Sequence, residues 1–205
     1  MKLVDVHNKL LKINDAVFQT SDASVLLKIN SAHASKLLAR LVESEHLIHL
    51  GRGLWAFKER IEPLSLPQYL TSPFPSYISL QSALYYHGMI SQIPAVIYAI
   101  SIARTKRYKT AIGTVSIHHV HPSFFFGFEG VGKGIVKIAK PEKALVDFFY
   151  LRPAKSKLFH SLPELELPRR FSIKTANNMI SRITSEKRKA MVKSVFKEVI
   201  SNMKK

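Results

Sequence analysis

A stretch of 38 residues near the N-terminus, residues 20–57, constrains the fold of this chain most, because two helical patterns and a hairpin pattern follow one another there directly. Ser21 can cap a first short helix, since a serine side chain can accept a hydrogen bond from a free amide of the first turn. Asn30 or Ser31 can cap a second, longer helix in the same way. In the second helix, apolar side chains recur at steps of three and four and predict one buried stripe: Ala34, Leu37, Leu38 and Leu41.

The opposite side of the second helix is small, polar and basic. At 100° per residue, Ala32, His33, Lys36 and Arg40 cluster away from the leucine stripe. If the helix packs through its leucines, these side chains face outward. Small and basic residues on an exposed helix suit the major groove of a nucleic-acid duplex.

A hairpin pattern follows the second helix. Residues 46–50 and 54–57 are apolar, β-compatible runs on either side of Gly51-Arg52-Gly53. The two glycines allow the positive φ angles of a tight turn and leave Arg52 at its tip. An arginine in this position can reach a phosphate or the minor groove.

Helix, turn, helix and hairpin, in this order, predict a winged helix-turn-helix. The alternative is an ordinary helix and hairpin whose exposed charges are merely solvated. The side chains that we expect to contact DNA are Ser21, Lys28, Ser31, His33, Ser35, Lys36, Arg40 and Arg52.

The overall charge also favours a polyanionic partner. The chain has 205 residues, 31 Lys and Arg against 14 Asp and Glu, and a formal net charge of +17. A field of this size attracts nucleic acid before any specific contact forms. The excess is uneven: residues 1–60 carry 9 basic and 6 acidic side chains, 61–150 carry 8 and 4, and 151–205 carry 14 and 4. Much of the attraction is therefore expected from the C-terminal end, which implies two contact surfaces.

Composition excludes several classes of protein. The longest apolar run, residues 93–103, ends at Arg104, and about 20 residues are needed for a helix that spans a membrane. The N-terminus shows no long apolar stretch with a cleavage site, so we expect no export signal. Without cysteine the chain cannot form disulfides or thiolate metal sites. A cytoplasmic location is the expectation.

The chain length suits two domains. A helix over residues 2–11 and a short strand at 16–19 complete the first one. Four prolines at positions 63, 67, 73 and 75 then interrupt regular structure, although 68–72 can form a helical turn. We therefore predict an α/β (α+β) protein with a winged helix over residues 1–60 and a mixed α/β domain with a basic helical end over 61–205.

The second domain shows helical and β patterns in alternation. Ser79 can cap a helix over residues 80–87, with Gly88 positioned to end it. β-like runs follow at 96–103, 115–120 and 135–139. Between the first two runs lies a basic loop that can hold a phosphate backbone or be a solvated hairpin tip, and its cations are Arg104, Lys106 and Arg107.

The C-terminal third is predicted to be helical. Pro141 and Glu142 suit the first turn of a helix in which Lys143 and Asp147, four residues apart, are expected to form an ordinary surface ion pair. After a looser segment with Pro153, Pro163 and Pro168, helices are predicted over 173–183 and 186–203. The last helix has apolar rows beside a basic row, and its lysines can either be solvated or contact nucleic acid or an acidic partner: Lys189, Lys193 and Lys197.

Two patterns suggest chemistry but lack the residues that the chemistry needs. Gly127, Gly132 and Lys133 have the spacing of a P-loop, but Gly134 replaces the Ser or Thr that would hold magnesium. The next residues are strand-like where a helix N-terminus is required, so a glycine-rich turn between strands is favoured. His118, His119 and His121 have no carboxylate or fourth histidine near them in sequence, which favours tandem strand histidines over a metal site. We expect neither a cofactor nor enzymatic activity.

Residues 51–56, 77–88 and 138–147 resemble three segments of the AbiEi family of antitoxins, which belong to type IV toxin–antitoxin, abortive-infection systems. Gly51-Arg-Gly-Leu-Trp-Ala56 resembles the family's wing hairpin, with Trp55 in place of the more usual tyrosine. Tyr77-Ile-Ser-Leu-Gln-Ser-Ala-Leu-Tyr-Tyr-His-Gly88 and Ile138-Ala-Lys-Pro-Glu-Lys-Ala-Leu-Val-Asp147 resemble two further family motifs. The motif residues of the second domain are Tyr77, Ser79, Ser82, His87, Glu142, Lys143 and Asp147.

The resemblance implies a repressor that binds inverted repeats in its own promoter through the winged helix. It also implies that the second domain counteracts a co-encoded nucleotidyltransferase toxin, often without a stable complex. Two other classes stay open from the sequence. One is an RNA-binding or other winged-helix regulator without a toxin partner, and the other is a nuclease or NTPase that uses the second domain.

Overall fold

The structure is a computed structural model that describes residues 2–132, 136–152 and 164–203. Within these ranges the chain is a mixed α+β protein with eight α-helices, a three-stranded sheet and a six-stranded sheet. Four residues named above lie outside the described residues: Pro153, Pro163, and the Lys133 and Gly134 of the P-loop-like stretch 127–134, called the near P-loop below.

Three helices and a small antiparallel sheet form the N-terminal part. The elements are α1 (Leu3–Leu10), β1 (Val17–Gln19), α2 (Thr20–Leu27), α3 (Ser31–Glu43), β2 (Leu47–Gly51) and β3 (Leu54–Phe57). The strand order is β1-β3-β2, with all pairs antiparallel. The helices, the short first strand and the hairpin are each present as the sequence pattern predicts.

Two local details of this part differ from the prediction. Gln19, not Ser21, is the N-cap residue of α2, and its backbone amide donates to the Asp22 carboxylate at 2.7 Å. Of the two turn glycines, only Gly53 has a positive φ, +70°, so Gly51 does not need its conformational freedom. The second cap is Asn30, whose side chain accepts from the His33 amide at 2.8 Å.

The small sheet is covered on both faces. Phe18, Leu47 and Trp55 pack with the three helices in one core. Val17 and Ala56 alternate with them along the strands and belong to the core of the second part. The division into domains 1–60 and 61–205 stays a prediction, because side chains from both sides of residue 60 share this second core.

The second part is built around the six-stranded mixed sheet, in the order β6-β7-β5-β4-β9-β8. Its strands are β4 (Ser76–Ile78), β5 (Val96–Ser101), β6 (Lys106–Thr110), β7 (Gly113–His119), β8 (Phe128–Val131) and β9 (Val136–Ala139). The pairs β4/β9 and β5/β7 are parallel and the other pairs antiparallel. Its helices are α4 (Leu66–Thr71), α5 (Leu80–Tyr86), α6 (Pro141–Leu151), α7 (Ile173–Ser181) and α8 (Glu186–Asn202).

Three strands lie where the sequence did not predict them. The basic stretch at 104–109 was expected to be a loop, but most of it forms the edge strand β6, which pairs with β7. Residues 128–131, expected in a glycine-rich turn, form the strand β8 beside β9. β4 is only three residues long and follows the proline-rich junction, so no alternating pattern marks it.

Helix α6 occupies the centre of the second part. It packs against α5, α7, α8 and β9, and every side chain from Glu142 to Phe149 is buried. A helix at the surface would keep one polar face in solvent. The polar residues of α6 must therefore find partners inside the protein.

Candidate functional site

The outward face of α3 is the first candidate site. The leucine stripe lies at 0–5% exposure inside the N-terminal core, as predicted. His33, Lys36 and Arg40 are exposed on the opposite side. Since the Asn30 side chain holds the His33 amide, the start of α3 is fixed where these side chains begin.

Arg52 is exposed at the tip of the hairpin that follows α3. The base of this tip is attached to α2, because the Thr20 amide donates to the Gly53 carbonyl at 2.9 Å. The Trp55 indole donates to the Thr20 hydroxyl at 2.8 Å and adds a second link. The hairpin is thus held by the helical part rather than extending freely.

The remaining residues of the predicted interface are also exposed, on α2, on the turn and on α3: Ser21, Lys28, Ser31 and Ser35. Lys28 ends α2 with a φ of +55° and lies in the turn between the two helices. All eight predicted contact residues are therefore accessible to a partner.

The basic residues predicted outside the N-terminal part lie on different elements. Arg104, Lys106 and Arg107 are exposed on or just before β6, which lies beside β2 of the hairpin. Lys189, Lys193 and Lys197 lie along α8, which packs on α6 and α7. Lys189 is partly neutralised by an ion pair with Glu186 at 2.7 Å. Because β6 lies beside β2, its exposed cations can extend the basic surface of the hairpin.

A second cluster of polar residues is buried in the second part, and it corrects one prediction. Lys143 and Asp147 do form an ion pair, but both side chains are 0% exposed, so the pair is not at the surface. The second carboxylate oxygen of Asp147 accepts from the Tyr77 hydroxyl at 3.0 Å and from the Ser79 hydroxyl at 2.8 Å. Ser79 therefore binds Asp147 instead of capping α5 with its side chain.

The environment of the buried cluster shifts the pKa of each titratable member. Burial lowers the pKa of Lys143 and raises that of Asp147, and the ion pair between them opposes both shifts. Burial, together with the charge of Asp147, raises the pKa of Tyr77 well above its ordinary value. The aliphatic part of Lys143 lies against Gly127, where an added Cβ would be 3.1 Å from its Cγ and Cδ. The cluster is enclosed, which suits a structural role.

The other motif residues also connect elements of the second part. The Ser82 hydroxyl donates to the Val96 carbonyl and accepts from the Tyr98 amide at 2.9 Å, which joins α5 to β5. A ring nitrogen of His87 lies 2.7 Å from the Ala139 carbonyl at the end of β9. Glu142 accepts from the Ser172 amide at 2.8 Å, at the start of α7.

The three histidines of the β7 region do not converge. His118 is buried and bonds the Ser116 hydroxyl at 3.0 Å, and burial lowers its pKa to about 4. His119 approaches the carbonyls of residues 102 and 103, and His121 bonds Ser123. In the part of the chain that the structure describes, no group of three or more His, Asp or Glu could hold a metal ion.

Between Gly127 and Gly132, the near P-loop forms the strand β8 instead of a loop. Residues 128–131 pair with β9 along their length, so their backbone amides belong to a sheet and do not form a phosphate cradle. Gly127 and Gly132, at either end, have φ angles of +79° and +62°. Their conformations serve the close contact with Lys143 and the turn after β8.

The sequence matches no family model, and no curated protein matches it either. No helix among the described residues is long and apolar enough to cross a membrane.

Proposed function

We propose that residues 1–60 are a winged helix-turn-helix and that the protein binds double-stranded DNA through it. The observation that carries the proposal is the two-sided α3: its leucines are buried, and His33, Lys36 and Arg40 are exposed. The order of α2, α3 and the β2–β3 hairpin is that of a helix-turn-helix followed by a wing.

In this proposal α3 lies in the major groove. Ser31 and His33 at its start, together with Lys36, contact base edges, and Arg40 follows on the same side. Arg52 contacts the neighbouring backbone or minor groove, while β6 and the lysines of α8 add phosphate contacts. The low net charge of residues 1–60 makes these additional cations useful for affinity.

We further propose the role that the sequence resemblance implies, an AbiEi-type antitoxin and autorepressor. Binding to inverted repeats of its own promoter would be its repressor activity. The second part would counteract a co-encoded nucleotidyltransferase toxin. The burial of Lys143 and Asp147 supports a structural role for this pair, because side chains at 0% exposure do not reach a substrate.

The DNA proposal is tested by fluorescence anisotropy of the full chain with a labelled duplex from its own promoter and a scrambled duplex. Lys36→Ala should reduce the preference for the promoter by about 1–3 kcal/mol, since a base contact is lost. Arg52→Ala should weaken binding to both duplexes alike. Lys174→Ala removes an exposed lysine at the start of α7 and serves as the control with the same charge change.

Two outcomes would contradict this proposal. One is equal loss on both duplexes from the Lys36 and Arg52 variants. The other is that unlabelled tRNA displaces the labelled promoter duplex at the same concentration as unlabelled promoter does. This result would favour an RNA-binding module.

The antitoxin proposal is tested separately by co-expression. If a nucleotidyltransferase is encoded beside this gene, its expression should arrest growth, and expression of this chain should restore it. Because antitoxicity is assigned to the second part, Lys36→Ala should restore growth as well as the wild type does. Failure of the wild-type chain to restore growth would contradict the antitoxin role and leave the DNA proposal intact.

A further inference from the structure

Three aromatic side chains from separate parts of the sequence form a continuous group in the second part. The rings of Phe124 and Tyr150 are stacked, with centroids 4.3 Å apart and planes at 19°. The ring of Phe126 meets Phe124 edge-on at 5.4 Å. Phe124 is buried, whereas Phe126 and Tyr150 are only partly covered.

An arginine lies on each end of this ring group. The guanidinium carbon of Arg182 is 3.5 Å from the centroid of Phe126, and that of Arg188 is 4.7 Å from the centroid of Tyr150. Arg182 ends α7 and Arg188 lies in the first turn of α8, so both flank the short connection between these helices. Stacking on a ring restricts a long side chain in advance and leaves the guanidinium edge free to donate.

The charge around the ring group is positive and not locally balanced. Lys143 lies over the Phe124 ring at 3.7 Å, but its charge is matched by Asp147. Among the described residues, no carboxylate lies within ion-pair distance of Arg182 or Arg188. Lys143 also lies 4.9 Å from the centroid of Phe126, the ring on which Arg182 stacks, so two cations contact this ring.

We propose that Arg182 and Arg188 form a phosphate-binding surface, in which each arginine binds a phosphate group at its own end of the ring group. Each guanidinium offers several donors in a fixed plane, a geometry that matches phosphate oxygens. Tyr150 already stacks on Phe124 and carries Arg188, so its ring is engaged and is not offered to a base. The site therefore recognises the phosphate group, and the same chemistry is available from a nucleic-acid backbone or from a nucleoside polyphosphate.

This site is independent of the face proposed for promoter recognition. It uses neither α3 nor the hairpin, and it predicts binding without sequence preference. Loss of the site should lower affinity for any strand, whereas loss of the α3 face should lower the preference for the promoter. The two proposals can thus fail separately.

The test measures binding of a labelled single-stranded oligo-dT to the full chain at low salt. The variant Arg182→Gln with Arg188→Gln should bind about tenfold more weakly or worse, since two charge-assisted contacts are lost. The control, Lys12→Gln with Lys174→Gln, removes the same charge from two exposed lysines elsewhere. Lys174 is about 12 Å from Arg182 along α7, at 1.5 Å per residue. The control should lose less than about threefold.

A second variant separates the built site from general charge. Arg182→Lys with Arg188→Lys keeps both charges but loses the planar donors, and binding should fall between the wild type and the glutamine variant. Its thermal unfolding, followed by circular dichroism, shows whether the fold is kept. If the lysine variant binds as well as the wild type, or the control loses as much as the glutamine variant, the site is overturned.

Competitors identify the source of the phosphate. If ATP displaces the labelled oligonucleotide, the site is assigned to nucleoside polyphosphates. If unlabelled oligo-dT displaces it but ATP does not, the site is assigned to a nucleic-acid backbone. Either result supports phosphate recognition. Displacement by poly-glutamate at the same charge concentration would overturn it, because an acidic protein segment would then be an equal partner. The preference of the glutamine variant for promoter over scrambled duplex should remain.

Discussion

Helices α3 and α6 both carry lysine among apolar residues, but the protein uses their charges in opposite ways. Lys36 of α3 is exposed, with solvent around its ammonium group. Lys143 of α6 is 0% exposed and is matched by Asp147. A charge in solvent costs nothing to keep and is free for a partner, whereas a charge in the core must be paired inside the protein. Exposure therefore distinguishes a lysine that a partner can reach from one that is structural, whereas residue type alone does not.

The largest expected effect comes from breaking the buried pair. Asp147→Leu leaves the Lys143 ammonium and the hydroxyls of Tyr77 and Ser79 without their acceptor. We expect a loss of about 3–5 kcal/mol in the free energy of unfolding, measured by urea denaturation. Adding Lys143→Met to the same chain should recover much of the loss, because no unpaired charge then remains. A loss below about 1 kcal/mol in the single variant would show that the pair is solvated.

The next effect compares a buried histidine with an exposed one. The pKa of His118 is lowered to about 4, so the unfolded chain, with a pKa near 6.5, binds the proton first. Stability is therefore fully present above pH 6.5 and falls as the pH decreases toward 4, by about 3 kcal/mol from this residue.

The control for this prediction is His33, which is exposed on α3. His118→Asn should flatten the fall in unfolding free energy between pH 6.5 and 4, and His33→Asn should leave it as in the wild type. The account of His118 is wrong if the two variants show the same pH profile.

A smaller effect is expected where the buried lysine meets the backbone. Gly127→Ala places a Cβ 3.1 Å from the Lys143 side chain at a φ of +79° and should cost about 1–3 kcal/mol. Gly132→Ala has a similar φ of +62°, and no atom of the described residues lies within 4 Å of the added Cβ, so this variant isolates the backbone strain. Thermal unfolding should show Gly127→Ala as the less stable of the two. Equal losses would mean that the lysine moves aside at no cost.

The smallest effect on stability is expected on α3. Lys36→Met should change the free energy of unfolding by less than about 0.5 kcal/mol, because an exposed side chain away from caps and ion pairs contributes little. Lys143→Met, measured in parallel by urea denaturation, should be clearly destabilising, since it leaves the Asp147 carboxylate without its cation. Similar values for the two variants would remove the contrast between the helices.

The sequence was sufficient to predict the elements whose patterns are local. The leucine spacing of α3, the Gly51–Gly53 turn and the two C-terminal helices are all present. The spacing of Lys143 and Asp147 also predicted their contact, but not their burial, because an i, i+4 pair looks the same at a surface and in a core. Burial follows from packing of α5, α7 and α8 around α6, which no local pattern contains.

Features that combine distant residues were not predictable. The sequence of β6 predicts a loop, because its charged residues obscure the alternation of apolar and polar side chains that is typical of a strand. The two arginines on the ring group involve positions 126, 150, 182 and 188, which meet only in the folded chain. Such contacts depend on tertiary structure, so they were absent from the sequence-based site.

The outward face of α3 is tested most directly by mapping the amide chemical shifts of the labelled full chain as promoter duplex is added. We predict that the largest changes fall in residues 31–40 and 51–53, with smaller changes along β6. Changes confined to the second part, with α3 and the hairpin unaffected, would contradict the account.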